Sequence, residues 1–187
     1  MSSSVVLLLE RLLHAFSTSD TTALRSVANT AISQSAMEND ALKAELAVIS
    51  YALEKLIGKP HFQKSKKWNF VLSSIAREFA VAVVAAKKQD MDSVKRSLLD
   101  VTKRISATDD EFGHYWEGLV EKSRVKQAST AYAFGLSLSA ACALTSANKQ
   151  ELFSYIGYTK MHEETPVLGS IQERVGALES VLKGRGR

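Results

Sequence analysis

Apolar residues recur at three- and four-residue intervals along almost the whole chain, and the alternating pattern typical of strands is absent. Only two prolines occur, so the sequence predicts an all-α, multi-helix bundle. Ser4, Asn39 and Asp92 precede apolar runs and are predicted to be the N-caps of three helices. The patterns predict helices over residues 5–16, 22–34, 39–57 and 65–88, a fifth from Asp92 and a last one from about Ser170.

The middle of the chain carries weaker signals. Residues 108–111, Thr-Asp-Asp-Glu, have the side chains of a capping box, which predicts a sixth helix beginning near Asp109. Gly113 and Gly118 weaken that helix, so the sequence leaves open whether residues 109–144 form one helix or two. The helix over 65–88 carries apolar or alanine side chains on several faces, and we expect it to be central and buried.

Residues 127–148 form the longest stretch without a formal charge. Small residues recur in it at every fourth position, which predicts a helix stripe that a second helix can approach closely. A polar break over 145–148 then leads into another apolar pattern that includes Leu152, Phe153 and Ile156. We interpret residues 128–157 as a helical hairpin with a tight turn. The small residues of the stripe are Ala131, Gly135, Ser139 and Ala143.

The hairpin also has features of a DNA-binding helix-turn-helix. Ala141 and Cys142 are small enough for two helices to cross, and Leu152 would hold the second helix against the core. Polar side chains would then lie at the exposed start of the second helix, where base edges are contacted. Two residues count against this interpretation, Ser146 at a turn that commonly holds glycine and the acidic Glu151. The predicted DNA contacts are Asn148, Lys149, Gln150, Ser154 and Lys160, with phosphate contacts from Arg124 and Lys126.

The segment YIGYTKMHEE at 155–164, which follows the AYAFGLSLSAACALT stretch, is similar to the corresponding part of archaeal helical proteins classed as predicted helix-turn-helix transcriptional regulators. The resemblance covers about the last third of the chain. It implies a cytoplasmic, DNA-associated protein without enzymatic activity, and a single cysteine fits that reducing location.

Charge distribution supports two other interpretations. The chain has a net charge of +4, and basic residues concentrate between 58 and 106. That region could be the basic face of a helical interaction or scaffold protein whose partner is RNA or an acidic protein. A plain helical hairpin in a bundle is the other alternative to DNA binding. The basic patch of the scaffold hypothesis comprises Lys59, Lys64, Lys66 and Lys67.

The domain organisation follows from the same patterns. Residues 1–122 are expected to form a helical bundle, and residues 123–187 the hairpin and a C-terminal helix, packed with the bundle as one domain. Apolar residues in the last helix alternate by three and four positions, the spacing of a coiled-coil seam. This helix could dock on its own domain or join two copies of the chain, and specific DNA binding would favour a homodimer. The seam residues are Ile171, Val175, Leu178 and Leu182.

Several function classes lack a sequence signal. The four histidines are scattered, so we expect no metal site, and phosphate-binding loops and nucleophile motifs are absent. We therefore expect no catalysis and no cofactor. The lone Cys142 excludes an intramolecular disulfide and is predicted to be a buried, inert thiol. Charged and polar residues interrupt the apolar runs, so we expect no membrane span.

Overall fold

The chain is all-α, a multi-helix bundle, as the sequence predicts. The computed structural model describes residues 2–58, 66–111 and 118–162, and the side chains of 4–58, 68–108 and 118–158. Within those ranges the chain forms eight helices and no strand. The helices are α1 (Ser2–Ser17), α2 (Thr21–Glu38), α3 (Ala41–Ile57), α4 (Lys66–Lys87), α5 (Met91–Glu111), α6 (Leu119–Ala133), α7 (Leu138–Thr145) and α8 (Lys149–His162).

The same type of tight turn joins α1 to α2, α2 to α3 and α4 to α5. A residue with positive φ ends the first helix, and the aspartate that follows it accepts hydrogen bonds from backbone N–H groups of the second helix. The predicted caps are therefore wrong. Ser4 and Asp92 lie inside helices, and Asn39 ends α2 in the left-handed conformation (φ 52°) instead of starting α3. The aspartates that begin α2, α3 and α5 are Asp20, Asp40 and Asp90.

The hairpins α1–α2 and α4–α5 share a burial pattern. Counting from Asp20 in one and Asp90 in the other, the fourth, seventh, eighth and eleventh residues are buried in both. The side chains differ, since Val27 of the first hairpin corresponds to Ser97 of the second. The two hairpins pack together through α1 and α4, where Phe16 and Phe79 meet edge to face at 5.8 Å between ring centroids.

The centre of the bundle is α3, which contacts α1, α2, α5, α6 and α7. Its inner side chains, including Leu46 and Leu53, are completely buried. The expectation that the fourth helix is the central one is wrong. Helix α4 packs against α1 and α5 but leaves its outer face in solvent, with Phe70 71% and Val84 52% exposed. The segment Trp68–Lys87 is long and apolar enough to cross a membrane by length and composition alone, and 39% of its apolar window is buried.

The described part of residues 109–144 belongs to three helices, namely the end of α5, α6 and α7. The predicted capping box is wrong because α5 continues through Glu111, and the Thr108 hydroxyl donates to the carbonyl of Arg104 within α5. The uncharged stretch is also divided, since α6 ends at Ala133 and α7 begins at Leu138. Gly135, with φ 99°, lies in the break. The predicted four-residue stripe is therefore spread over α6, the break and the exposed side of α7.

The chain divides into two compact units, Met1–Phe153 and Ser154–Arg187. The first unit holds α1 to α7 and the first turn of α8. In it, α6 packs against α2, α3 and α5, and α7 packs against α2, α3 and α6. These contacts cross the boundary predicted between residues 122 and 123. The described part of the second unit is the continuation of α8 to His162.

Candidate nucleic-acid interface

Helix α7, a short turn and the start of α8 follow one another along the chain, in the order of the predicted helix-turn-helix. Helix α7 has eight residues, and its start is capped by Ser137, whose hydroxyl accepts from the N–H of Ala140 at 3.2 Å. At its end, the N–H groups of Ser146 and Ala147 both reach the carbonyl of Cys142. Three residues, 146–148, separate the two helices, which is the turn length common in this motif.

Ser146 occupies the turn position that commonly holds glycine in a helix-turn-helix. Its backbone is left-handed, with φ 56° and ψ 32°. Glycine adopts that conformation without steric cost, whereas a side chain at this position is mildly strained. The backbone at Ser146 thus has the geometry for which glycine is favoured, although the residue is serine.

Asn148 starts α8. Its Oδ1 accepts from the N–H of Gln150 at 2.8 Å and from the N–H of Glu151 at 3.2 Å. These bonds satisfy two donors that a helix N-terminus leaves without a partner. The carboxamide oxygen of Asn148 is therefore engaged inside the protein, although the residue itself is exposed.

The inner side of the motif is apolar and closely packed. Ala141 and Leu152 are completely buried, and Cys142 is 9% exposed. Burial raises the pKa of the Cys142 thiol, and the nearby Lys149 ammonium opposes that shift with a smaller effect. A thiol held in its protonated form is a poor nucleophile, so Cys142 has the environment of a packing residue of α7.

The outer side of α8 carries the predicted contacts Lys149 and Gln150 and also Phe153, which was not among the predicted contacts. Lys149 and Gln150 are exposed. Phe153 lies between them when α8 is viewed along its axis, and it is 70% exposed. The apolar pattern after the turn placed Phe153 in one group with the core-facing Leu152. One residue along an α-helix turns the side chain by about 100°, and the buried side of α8 includes Leu152 but not Phe153. Two adjacent residues can both lie on a core-facing stripe, so the sequence carried no signal that separates them.

Arg124, a predicted phosphate contact, is bonded inside the bundle to Glu45 and Thr145. Its guanidinium donates to both carboxylate oxygens of Glu45 at 2.8 and 3.0 Å, and to the carbonyl of Thr145 at 2.9 Å. The hydroxyl of Thr102 also donates to Glu45, at 3.1 Å. The Arg124 side chain is 18% exposed, so this group links α3, α5 and α6 to the C-terminal end of α7. Lys126, the other predicted phosphate contact, is half-buried on α6.

The other predicted contact residues do not all lie in the first unit, and several lie outside the described residues. Ser154 and Lys160 lie on the part of α8 that belongs to the second unit. The side chain of Lys160 lies outside the described residues, as do the side chains of the predicted basic patch and the predicted coiled-coil seam. The structure therefore brings together Asn148, Lys149 and Gln150 in the first unit. Outside the description are Lys59, Lys64, the side chains of Lys66 and Lys67, and residues Ile171, Val175, Leu178 and Leu182.

Two neighbouring cavities lie near the start of α3. The larger, about 430 Å³, is lined by the α2–α3 turn, Val5 and Met91, and the smaller, about 290 Å³, includes Glu45 and Arg124. In the smaller cavity Glu45 and Arg124 bond to each other, and Lys95, which lines both cavities, pairs with Asp92 at 3.8 Å. Among the described side chains, histidine, cysteine and acidic residues form no group of three that could hold a metal ion.

Comparison of the whole chain with protein-family models, curated proteins and solved structures gives no match.

Proposed function

We propose that the protein binds double-stranded DNA through the start of α8 and acts as a regulator of transcription. The observation that carries this proposal is the arrangement of the turn. An eight-residue helix, a three-residue turn with a left-handed first residue and a buried Leu152 direct Lys149 and Gln150 into solvent. A helix presented in this way can enter the major groove.

The charge at the start of α8 supports the same proposal. Lys149 is the first residue of the helix, where the positive end of the helix dipole makes a cation less favourable than an acid. Lysine at this position costs a little stability, and contact with a phosphate or a guanine would offset that cost. Glu151 lies on the flank of α8, about 160° from Phe153, where it points away from the proposed groove side.

The test is binding of a fluorescent 20-base-pair duplex, measured by anisotropy over a series of salt concentrations. Lys149→Glu should weaken binding about tenfold or more and reduce the salt slope by about one. Because glutamate suits a helix N-terminus, this change should not destabilise the fold. The matched control is Lys88→Glu, which alters an exposed lysine in the α4–α5 turn by the same charge.

The expected control result is near wild-type binding by Lys88→Glu. Wild-type protein that binds no duplex at low salt would contradict the proposal, as would equal loss of affinity in both variants. A folded Lys149→Glu protein that keeps its affinity would also contradict it, because the proposed contact residue would then be dispensable.

A second candidate function, an interaction or scaffold role for the 58–106 region, is favoured by the outer face of α4. Phe70, Val81 and Val84 are at least 48% exposed on one side of that helix, together with the exposed Arg77. Exposed apolar residues grouped with cations are typical of a surface that meets a partner. Charge reversal at Lys64, Lys66 and Lys67 should abolish binding of RNA or an acidic protein in this case, while Lys149→Glu should leave it unchanged.

A further inference from the structure

The exposed side of α8 contains one large apolar side chain among polar ones. Phe153 is 70% exposed, whereas its neighbour Leu152 is completely buried. Viewed along the helix, Phe153 lies about 40° from Lys149 and about 60° from Gln150, so the three share one face. The packing of the bundle does not account for a phenylalanine at this position.

The capping bonds of Asn148 restrict how this residue can recognise a base pair. Bidentate recognition of adenine by an asparagine uses both the oxygen and the amide nitrogen of the carboxamide. The Asn148 oxygen already accepts two backbone N–H groups, so that mode conflicts with the cap. Base recognition at this surface therefore falls to Lys149, Gln150 and Phe153.

We propose that Phe153 determines specificity by contacting the C5 methyl group of a thymine in the major groove. This inference rests on the proposed DNA-binding function. The thymine methyl is the only apolar group that a base pair presents on the major-groove side, and phenylalanine is among the side chains that contact it. Four residues of helix rise by about 6 Å, so this thymine lies about one to two base pairs from the position contacted by Lys149.

The surroundings of Phe153 favour DNA over a second copy of the chain as the occupant of this face. A two-fold contact centred on Phe153 would press together two copies of a face that carries Lys149 and Gln150. The acidic Glu151 lies about 160° away around the helix, so this face offers the partner copy's Lys149 no negative charge. The polyanionic backbone of a duplex instead attracts Lys149 while the ring of Phe153 enters the groove.

The test begins with a selection from a pool of 20-base-pair duplexes with randomised centres. The most enriched duplex is then remade with deoxyuridine in place of each thymidine, which removes only the C5 methyl groups. Wild-type protein should bind the uracil duplex about fourfold more weakly, as expected for one lost methyl contact. Phe153→Ala should bind both duplexes with the same affinity within about 1.5-fold, and Phe153→Leu should keep part of the preference.

Each other outcome overturns the inference in a distinguishable way. No duplex binding at low salt removes the proposed function itself. Salt-dependent binding with equal affinity for the two duplexes, or an enriched duplex without thymine, leaves DNA binding intact and refutes the role of Phe153. A thymine preference that persists in Phe153→Ala assigns the contact to another residue. Loss of self-association in Phe153→Ala, measured by sedimentation equilibrium, with an unchanged thymine preference, would identify a second copy as the occupant.

Discussion

The ion pair between Glu45 on α3 and Arg124 on α6 should anchor the helix-turn-helix motif to the bundle. Arg124 makes two bonds to the carboxylate and a third to the carbonyl of Thr145, the last residue of α7. Arg124→Ala removes all three bonds and leaves the carboxylate and the helix end without this partner. Glu45→Ala removes two of them and leaves the bond to Thr145 in place.

The expected energies follow from the burial of the pair. Hydrogen bonds to a charged group contribute about 1.5–3 kcal/mol when buried, and exposed ion pairs contribute about 0.2–1 kcal/mol. The side chains of Arg124 and Glu45 are 18% and 24% exposed, so their coupling should fall between these limits, at about 1–2 kcal/mol. Arg124→Ala alone should lower the free energy of unfolding by about 2–3 kcal/mol, because Thr145 also loses its bond.

A double-mutant cycle measured by urea unfolding isolates the coupling energy of this pair. The control cycle uses Lys103 and Asp100, a more exposed pair at 3.5 Å on one helix, which should couple by about 0.3 kcal/mol. A coupling between Arg124 and Glu45 no larger than that of the control would refute the anchoring role. In duplex binding, Arg124→Ala should leave the salt slope unchanged at a temperature where it is folded, whereas loss of a phosphate contact would lower the slope by about one.

Three further predictions concern the turn and its inner side. Ser146→Gly should stabilise the protein by about 0.5–1 kcal/mol, and Ser139→Gly, inside α7, should destabilise it by a similar amount, both by urea unfolding; the opposite order would contradict the left-handed turn. Leu152→Ala should cost about 2–4 kcal/mol in the same assay and Phe153→Ala less than about 0.5, because the first side chain is buried and the second is exposed. Equal costs would place both on one face. Cys142 should react with a thiol reagent at pH 8 much more slowly in the native protein than in urea, because burial raises the pKa of its thiol. Similar rates in both states would exclude that environment.

The all-α class could be predicted from the sequence because helical spacing persists through almost every segment and no alternating pattern competes with it. The caps could not be assigned as reliably. Asn39 and Asp40 are adjacent and both suit a helix terminus, and the choice between them depends on which adopts positive φ at the end of α2. Asn39 takes the left-handed conformation and Asp40 the extended one, and both residue types suit either place.

In the candidate site too, the sequence predicted some features, and others depend on packing between distant segments. The sequence pattern predicted that Ala141, Cys142 and Leu152 face inward, and all three are buried in the structure. The role of Arg124 could not be predicted, because its partner Glu45 is far away in the sequence and reaches it only through the packing of α3 on α6. The break at Gly135 was missed because small, uncharged residues suit a helix and a loop equally well.

The central claim is that the outer side of α8 contacts duplex DNA, and an amide chemical-shift titration of the labelled protein with a 20-base-pair duplex tests it most directly. The predicted result is that the largest shifts occur at Lys149, Gln150 and Phe153, and that they diminish as salt is added. Shifts confined to the outer face of α4, around Arg77 and Val84, with residues 148–153 unchanged, would contradict the claim and assign binding to the second candidate surface.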